Sequence, residues 1–331
     1  MHALPEPDPT SHAPAGARSP ARLAALGVAL IVSALALAYV VEAVALARRR
    51  ANLRDRVAAE RAVLPERSRA LVAAMDDVML EAARSPWPGD LVPPELATPE
   101  ARRALLATEL LYVRAAVPEI ARVDAIGAAV RRSAKDAFVL CLRHPPASTE
   151  PAEMRRAATR QWLGGALFDD ATHDVVPLHA VHAGLRPLSA AFAAEMEEAD
   201  QLPFVRRLET EHEQRTPIAL ALARTAASLP RLVVVADELP EGFREPDVGK
   251  GLMAADRPAV LPRIEDAPHR VRIVVWSTDV RRVVLRMRTS VDPRAPGEGA
   301  AAEVNGCQAA TALVGTRPTN GPAAPPPCAT E

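Results

Sequence analysis

The sequence predicts an α+β domain attached to a single N-terminal transmembrane helix. Three observations support this class: one long apolar run near the N-terminus, several helical segments with Thr, Pro or Gly at their ends, and four short runs rich in Val, Leu and Ile. The short runs lie near residues 136–142, 231–237, 271–277 and 281–288. Because they are few and separated mostly by helices, we expect a mostly helical domain with a small antiparallel sheet.

The N-terminus combines an unordered tail with a membrane anchor. Residues 1–20 are rich in Pro and Ala without apolar periodicity, so we predict that they are disordered. Residues 21–47 follow as the transmembrane helix, because the apolar run 23–47 exceeds the roughly 20 residues that cross a bilayer. A signal-peptide core of about 7–15 residues is shorter, so we expect the helix to remain uncleaved and to contact lipid through residues 23–47.

Residues 48–84 are predicted to continue this helix into water as a juxtamembrane helix. Apolar residues recur there at every seventh position: Val57, Leu64, Leu71 and Val78. This is one of the two stripes that a coiled-coil seam needs. It would support a weak homodimer through residues 50–80, and an unidentified protein partner is the other interaction we expect.

A proline-rich hinge, residues 85–98, leads into the globular domain, residues 99–292. Thr98 as N-cap and Pro99 in the first turn start a predicted helix over 99–116. Further helices are predicted from 118 to about 132, from 151 to the glycines at 164–165, and over 184–198 and 202–228.

The strand signals are clearest near the C-terminal end of the domain. Residues 271–277 and 281–288 flank turn residues and predict a β-hairpin, while 136–142 (DAFVLCL) predicts a strand covered on both faces. Cys141 lies within this apolar run, so we expect a buried, inert thiol. Residues 293–331 are rich in Ala, Gly and Pro, which predicts a disordered tail.

The composition argues against several functions. The formal net charge is -1 and aromatic residues make up 3 % of the chain, so we expect no nucleic-acid partner. The sequence contains no GxSxG elbow and no phosphate-binding GxxxxGK[ST] loop, so no catalytic or cofactor-binding residue is predicted. The cysteines form no CxxC pair, which argues against a zinc knuckle.

The strongest candidate site is the Asp/His cluster 169–182. Carboxylates and imidazoles at this density suit a divalent metal such as zinc, with Asp170, His173, His179 and His182 as the predicted ligands. His179 and His182, three residues apart, share a face if this stretch is helical. The spacing matches no HExxH motif, so the alternative is a polar loop whose acids cap the next helix.

The charge pattern around the anchor predicts its orientation. Arg18 and Arg22 precede the apolar run, whereas seven arginines follow it: Arg48, Arg49, Arg50, Arg54, Arg56, Arg61 and Arg67. The positive-inside rule therefore favours a single-pass protein of the cell membrane with a cytoplasmic C-terminal domain. Cys307 and Cys328 favour the opposite side, where an oxidising compartment would allow them to pair.

These parts suggest two functions. A membrane-tethered domain without enzymatic activity, which binds a partner or senses a signal, fits the order of anchor, juxtamembrane helix, hinge and domain. The alternative is a membrane-bound metal-dependent hydrolase that uses the cluster 169–182.

Overall fold

A computed structural model describes residues 20–162, 172–240, 267–292 and 301–317 of the protein. These ranges contain ten helices: α1 (Pro20–Ala62), α2 (Glu66–Ala83), α3 (Pro99–Leu105), α4 (Val123–Arg132), α5 (Ala137–Arg143), α6 (Pro151–Trp162), α7 (His179–Leu185), α8 (Ala190–Glu198), α9 (Leu202–Ser228) and α10 (Ala301–Val314). They also contain five strands: β1 (Leu110–Ala116), β2 (Val175–Pro177), β3 (Arg231–Asp237), β4 (His269–Ser277) and β5 (Arg282–Val291).

The five strands form one mixed sheet in the order β2-β1-β3-β4-β5. β1 is parallel to β2 and β3, and the hairpin β4–β5 continues from β3 in antiparallel pairing. The α+β class and the predicted strands 231–237, 271–277 and 281–288 are confirmed. The prediction of an antiparallel sheet is wrong, because the unpredicted strands β1 and β2 pair in parallel.

Strand β1 lies inside the segment that the sequence predicts as the helix 99–116. The predicted start is correct, since Thr98 Oγ1 accepts a hydrogen bond from the Ala101 N–H at 3.2 Å, but α3 ends at Leu105. Residues 110–116 are then buried on both faces of the sheet. A strand covered on both sides is apolar throughout, so its pattern also fits a buried helix.

The segment 136–142 shows the opposite error, because the predicted strand is helix α5. Asp136 caps this helix, and its Oδ1 accepts hydrogen bonds from the N–H groups of Phe138 and Val139 at 3.1 and 3.4 Å. Residues 137–142 are all buried, with the sheet and α10 packed against them. A helix that is covered on every side has no polar stripe, which explains its resemblance to a strand.

Helix α10 lies in the tail that the sequence predicts to be disordered. Its residues Cys307, Ala310 and Leu313 are fully buried at helical spacing. Cys307 forms a disulfide with Cys141 of α5, with a Cα–Cα distance of 5.1 Å. Cys141 is therefore not the free thiol that the sequence predicts, and Cys307 pairs with Cys141 instead of Cys328, which lies outside the described residues.

Helices cover both faces of the sheet. One buried apolar cluster joins it to α2, α4, α7 and α9, and a second joins it to α5, α6 and α10. The proline-rich segment 85–98 is also fixed to the sheet, since the Leu91 N–H donates to the Arg286 carbonyl oxygen at 2.7 Å and the Arg286 N–H donates back at 2.9 Å. Trp87 in the same segment lies 5.1 and 5.6 Å from the guanidinium groups of Arg272 and Arg286.

Helix α1 continues over 43 residues, which corresponds to about 65 Å. It is the one described helix that is long and apolar enough to cross a membrane, and its residues 27–44 are exposed. Its second half packs on α8 and α9 through Leu53 and Val57. The heptad stripe is thus buried within its own chain, so it no longer supports the homodimer, which stays a prediction.

Candidate functional site

A cleft of about 970 Å³ opens beside the helices that cover one face of the sheet. We call it the α4–α8 cleft, and its lining includes Asp76, Asp124, Gly127, Ala128, Arg131, His182, Ala191, Ala194, Glu195 and Glu198. Its volume lies in the range of about 300–1,000 Å³ that is typical of small-molecule sites. The cleft is therefore the candidate binding site.

Two helices form the long walls of this cleft with identical residue spacing. The lining residues lie at i, i+3, i+4 and i+7, on α4 as Asp124, Gly127, Ala128 and Arg131, and on α8 as Ala191, Ala194, Glu195 and Glu198. This spacing places each set on one helix face. Gly127, Ala128, Ala191 and Ala194 have small side chains, which leaves the space between the walls open.

One residue of the predicted metal site, His182, lies in this cleft. Its Nε2 lies 3.2 Å from Asp76 Oδ1 of α2, and both side chains are partly buried. This contact joins α7 to α2 across the cleft lining. The Asp76–His182 pair therefore adds a polar group to the cleft.

The other predicted ligands are distributed differently. His179 Nδ1 lies 2.8 Å from the Ser133 carbonyl oxygen, and His173 is exposed in the turn before β2. Asp170 lies outside the described residues. Within the described ranges, no three His, Cys, Asp or Glu side chains come together to hold a metal ion, and the metal site of the cluster 169–182 stays a prediction.

Helix α8 connects the cleft to α1, because its two faces have different neighbours. Ala194 and Glu198 line the cleft, whereas Phe192 and Met196 are buried in the apolar cluster that contains Leu53 of α1. The nine residues of α8 thus form a single layer between the two. Any displacement of α8 by a bound molecule would act directly on the packing of α1.

Arginines of α1 also hold both ends of α8. At the start of α8, Arg61 donates to the carbonyl oxygens of Leu188 and Ser189 at 2.8 and 2.6 Å. At the other end, Arg50 donates to the carbonyl oxygen of Ala199. Burial lowers the pKa of the Arg61 guanidinium below its usual value, and hydrogen bonds to carbonyl oxygens satisfy its donors. These contacts run antiparallel along the two helices, so α8 and residues 50–61 of α1 form one unit.

A second polar cluster lies where the parallel strands β1 and β3 end. Arg114 binds both carboxylate oxygens of Asp237 at 2.8 and 2.9 Å and contacts Asp136 Oδ2 at 2.8 Å. Tyr112 donates to Asp136 at 2.8 Å, and His269 Nε2 lies 3.0 Å from Asp237 Oδ1. The carboxyl ends of parallel strands often carry ligand sites, so this cluster competes with the cleft as a candidate.

The pKa values of this cluster reflect internal pairing. Burial alone would raise the pKa of the Asp237 carboxyl, but the charge of Arg114 and hydrogen bonds from His269 and Arg114 lower it to about 2. Burial and the neighbouring Asp136 raise the pKa of Tyr112 well above its usual 10. Because both carboxylates already have buried donors from the same chain, we assign the cluster to holding β1, β3, β4 and α5 together.

Sequence reasoning missed most of the cleft. Asp76, Arg131 and Glu198 come from three helices that are separated in the chain and meet only in the fold. A local signal for the α4 wall is the pair of small residues Gly127 and Ala128, which lie between Asp124 and Arg131 on one helix face.

The chain matches no family model, no curated protein and no solved structure.

Proposed function

We propose that the protein is a membrane-anchored sensing domain, in which a small molecule bound in the α4–α8 cleft changes the packing of α8 on the membrane helix. The observation that carries this proposal is the double contact of α8, with the cleft on one face and α1 on the other. A helix that packs on two neighbours transmits a displacement because close-packed interiors deform little.

We further propose that α1 spans the membrane uncleaved and that the domain lies on the extracytoplasmic side. Leu46, at the end of the apolar run, packs against the buried cluster that contains Leu53 and Phe192. Helix α1 therefore continues without interruption from the apolar run into the domain. The Cys141–Cys307 disulfide is fully buried and joins segments 166 residues apart. Disulfides of this structural kind persist in oxidising compartments and are rare in the cytosol.

The arginines behind the opposite prediction have a second explanation. Arg49 pairs with Glu209 at 2.6 Å and Arg56 pairs with Glu213 at 2.9 Å, while Arg50 and Arg61 hold the ends of α8. These four arginines therefore have contacts within the fold wherever the domain lies. Large domains also translocate with little regard to flanking charge, which weakens the positive-inside argument here.

The sensing proposal is tested with the full chain in lipid nanodiscs. A library of small metabolites is screened by thermal unfolding, and hydrogen exchange of each stabilised sample is then measured by mass spectrometry. We expect a bound compound to slow exchange in α8 and in residues 46–62 of α1. The variant Ala194→Trp should lose this response, because an indole ring would occupy the cleft.

Ala73→Trp is the matched control, since Ala73 is exposed on α2 and does not line the cleft. A compound that binds, is blocked by Ala194→Trp and leaves exchange in α1 unchanged would contradict sensing. The same samples are also analysed for chemical conversion of the bound compound. Chelator-sensitive turnover would favour the metal-dependent hydrolase instead.

A further inference from the structure

Most charged groups of the α4–α8 cleft already have a polar partner within the protein. Three acids have a basic partner: Asp76 with His182, Asp124 with Arg122, and Glu195 with Arg186. Arg186 also reaches Glu211, and Arg215, a further arginine of the lining, contacts the same carboxylate. A ligand gains little from groups that already have a partner.

Arg131 and Glu198 differ from these groups. Within the part of the chain that the structure describes, neither side chain forms an ion pair or a hydrogen bond. Arg131 ends the α4 stripe and Glu198 ends the α8 stripe, so a cation and an anion lie on the two walls of one cleft. Both side chains are exposed, so a ligand can reach each of them.

From this arrangement we infer that the cleft binds a small zwitterion, a free amino acid, with Arg131 holding its carboxylate and Glu198 its ammonium group. A guanidinium matches a carboxylate through two parallel hydrogen bonds, and a carboxylate accepts from an ammonium group. A ligand with a single charge would leave either Arg131 or Glu198 without a partner. This inference rests on the proposed sensing function and names the ligand class of the same site.

The shape of the cleft agrees with this ligand class. Ala128 on one wall and Ala191 and Ala194 on the other have small side chains, which leave room in the cleft beside the two charged groups. The side chain of an amino acid would lie in that space. Because Glu198 belongs to α8, the ammonium contact would act on the helix that packs against α1.

The test is calorimetric titration of the full chain in nanodiscs with each of the common L-amino acids. The tightest binder is then compared with its amide, which lacks the carboxylate, and its N-acetyl derivative, which lacks the ammonium group. We expect the amino acid to bind about 10- to 100-fold more tightly than either derivative, as charge-assisted hydrogen bonds imply.

Substitutions then assign each contact. Arg131→Gln should remove the preference for the amino acid over its amide, and Glu198→Gln should remove the preference over the N-acetyl derivative. Arg224→Gln and Glu197→Gln are matched controls, because these exposed side chains do not line the cleft. All four variants should keep the unfolding temperature of the native chain.

The outcomes separate this inference from the proposed function. If no amino acid binds while other compounds bind in a manner that Ala194→Trp blocks, the zwitterion is overturned and sensing stands. Amino-acid binding that survives both Arg131→Gln and Glu198→Gln also overturns the inference. If the charge preferences appear but exchange in α1 does not change, the ligand class stands and sensing fails.

Discussion

At the scale of single residues, the side chain of Arg114 determines how the carboxyl edge of the sheet is held together. Burial lowers the pKa of its guanidinium, but Asp237 and Asp136 outweigh this effect and raise it, so the group stays charged. A buried charge is stable only while its partners remain charged as well. The stability of this edge therefore depends on the ionisation of Asp237.

This dependence predicts a loss of stability in acid. The pKa of Asp237 is about 2 in the folded chain, below its ordinary value of 3.8, so its contribution is complete above about pH 4 and is lost as pH falls through about 2. Asp237→Asn should destabilise the protein by about 3–5 kcal/mol at pH 7, because it leaves Arg114 without a buried counter-charge. Urea unfolding at pH 7, pH 4 and pH 2 measures the difference.

The difference between Asp237→Asn and the native chain should shrink by about 2 kcal/mol between pH 4 and pH 2, as the pKa shift implies. Asp55→Asn is the control, since Asp55 is exposed and pairs with the exposed Arg54 at 3.6 Å. Its stability should stay within about 0.5 kcal/mol of the native chain at each pH. An unchanged difference for Asp237→Asn across this range would show that Asp237 does not carry the acid dependence.

Individual site residues were only partly predictable from the sequence. The density of His and Asp in 169–182 drew attention to His182, which does line the cleft. Its partner Asp76 lies about a hundred positions away, and no local spacing connects the two. Charges that meet through tertiary packing leave no periodic signal in the sequence.

At the scale of elements, the sequence predicts the type of a segment best where the segment has an exposed polar side. The amphipathic hairpin strand 281–288 and the long helix 202–228 were correct, because each exposes a polar side that reveals its period. The segments 110–116 and 136–142 have no exposed side. The sequence therefore predicts a helix where β1 lies and a strand where α5 lies. Helix α10 was missed because small residues dominate its buried face.

The packing of α10 on α5 depends on a glycine and gives a prediction at this scale. A Cβ atom at Gly306 would lie 2.6 Å from the backbone nitrogen of Phe138, which cannot move independently. Gly306→Ala should therefore destabilise the protein, since overpacking costs about 1–3 kcal/mol and exceeds the gain of about 1 kcal/mol in helix propensity. The free energy of unfolding in urea measures the change.

Gly127→Ala is the matched control in another helix. Its added Cβ would meet only the terminal Nη1 of Arg131 at 3.7 Å, so the gain in helix propensity should remain and raise stability by about 0.5–1 kcal/mol. The two substitutions thus make the same chemical change with opposite expected signs. Equal effects at both positions would contradict the close contact between α10 and α5.

At the scale of the whole molecule, α1 and the domain form one structural unit. α2 and α10 both contribute to the buried clusters on the sheet, so a fragment limited to residues 86–292 would lack parts of both cores. The second half of α1 packs on α8 and α9 and is held by ion pairs to Glu209 and Glu213. Experiments on ligand binding therefore need the full chain.

The orientation of this unit gives the last prediction. We expect alkaline phosphatase fused after Glu331 to be active and green fluorescent protein fused at the same position to be dark, because an extracytoplasmic domain would carry both reporters across the membrane. Thiol labelling of the unfolded chain gives an independent readout. In membranes prepared without reductant, Cys141 and Cys307 should react with maleimide only after reduction, since their sulfurs are bonded to each other.

The variant Cys141→Ser separates the two readouts. It should free Cys307 for labelling and leave the reporter pattern unchanged, because orientation is set during insertion and the disulfide forms afterwards. Its stability should fall by about 2–5 kcal/mol, as expected for the loss of a native disulfide that closes a long loop. Bright green fluorescent protein together with thiols that label without reductant would place the domain in the cytoplasm, as the arginine asymmetry predicts, and would make the amino-acid sensor an intracellular one.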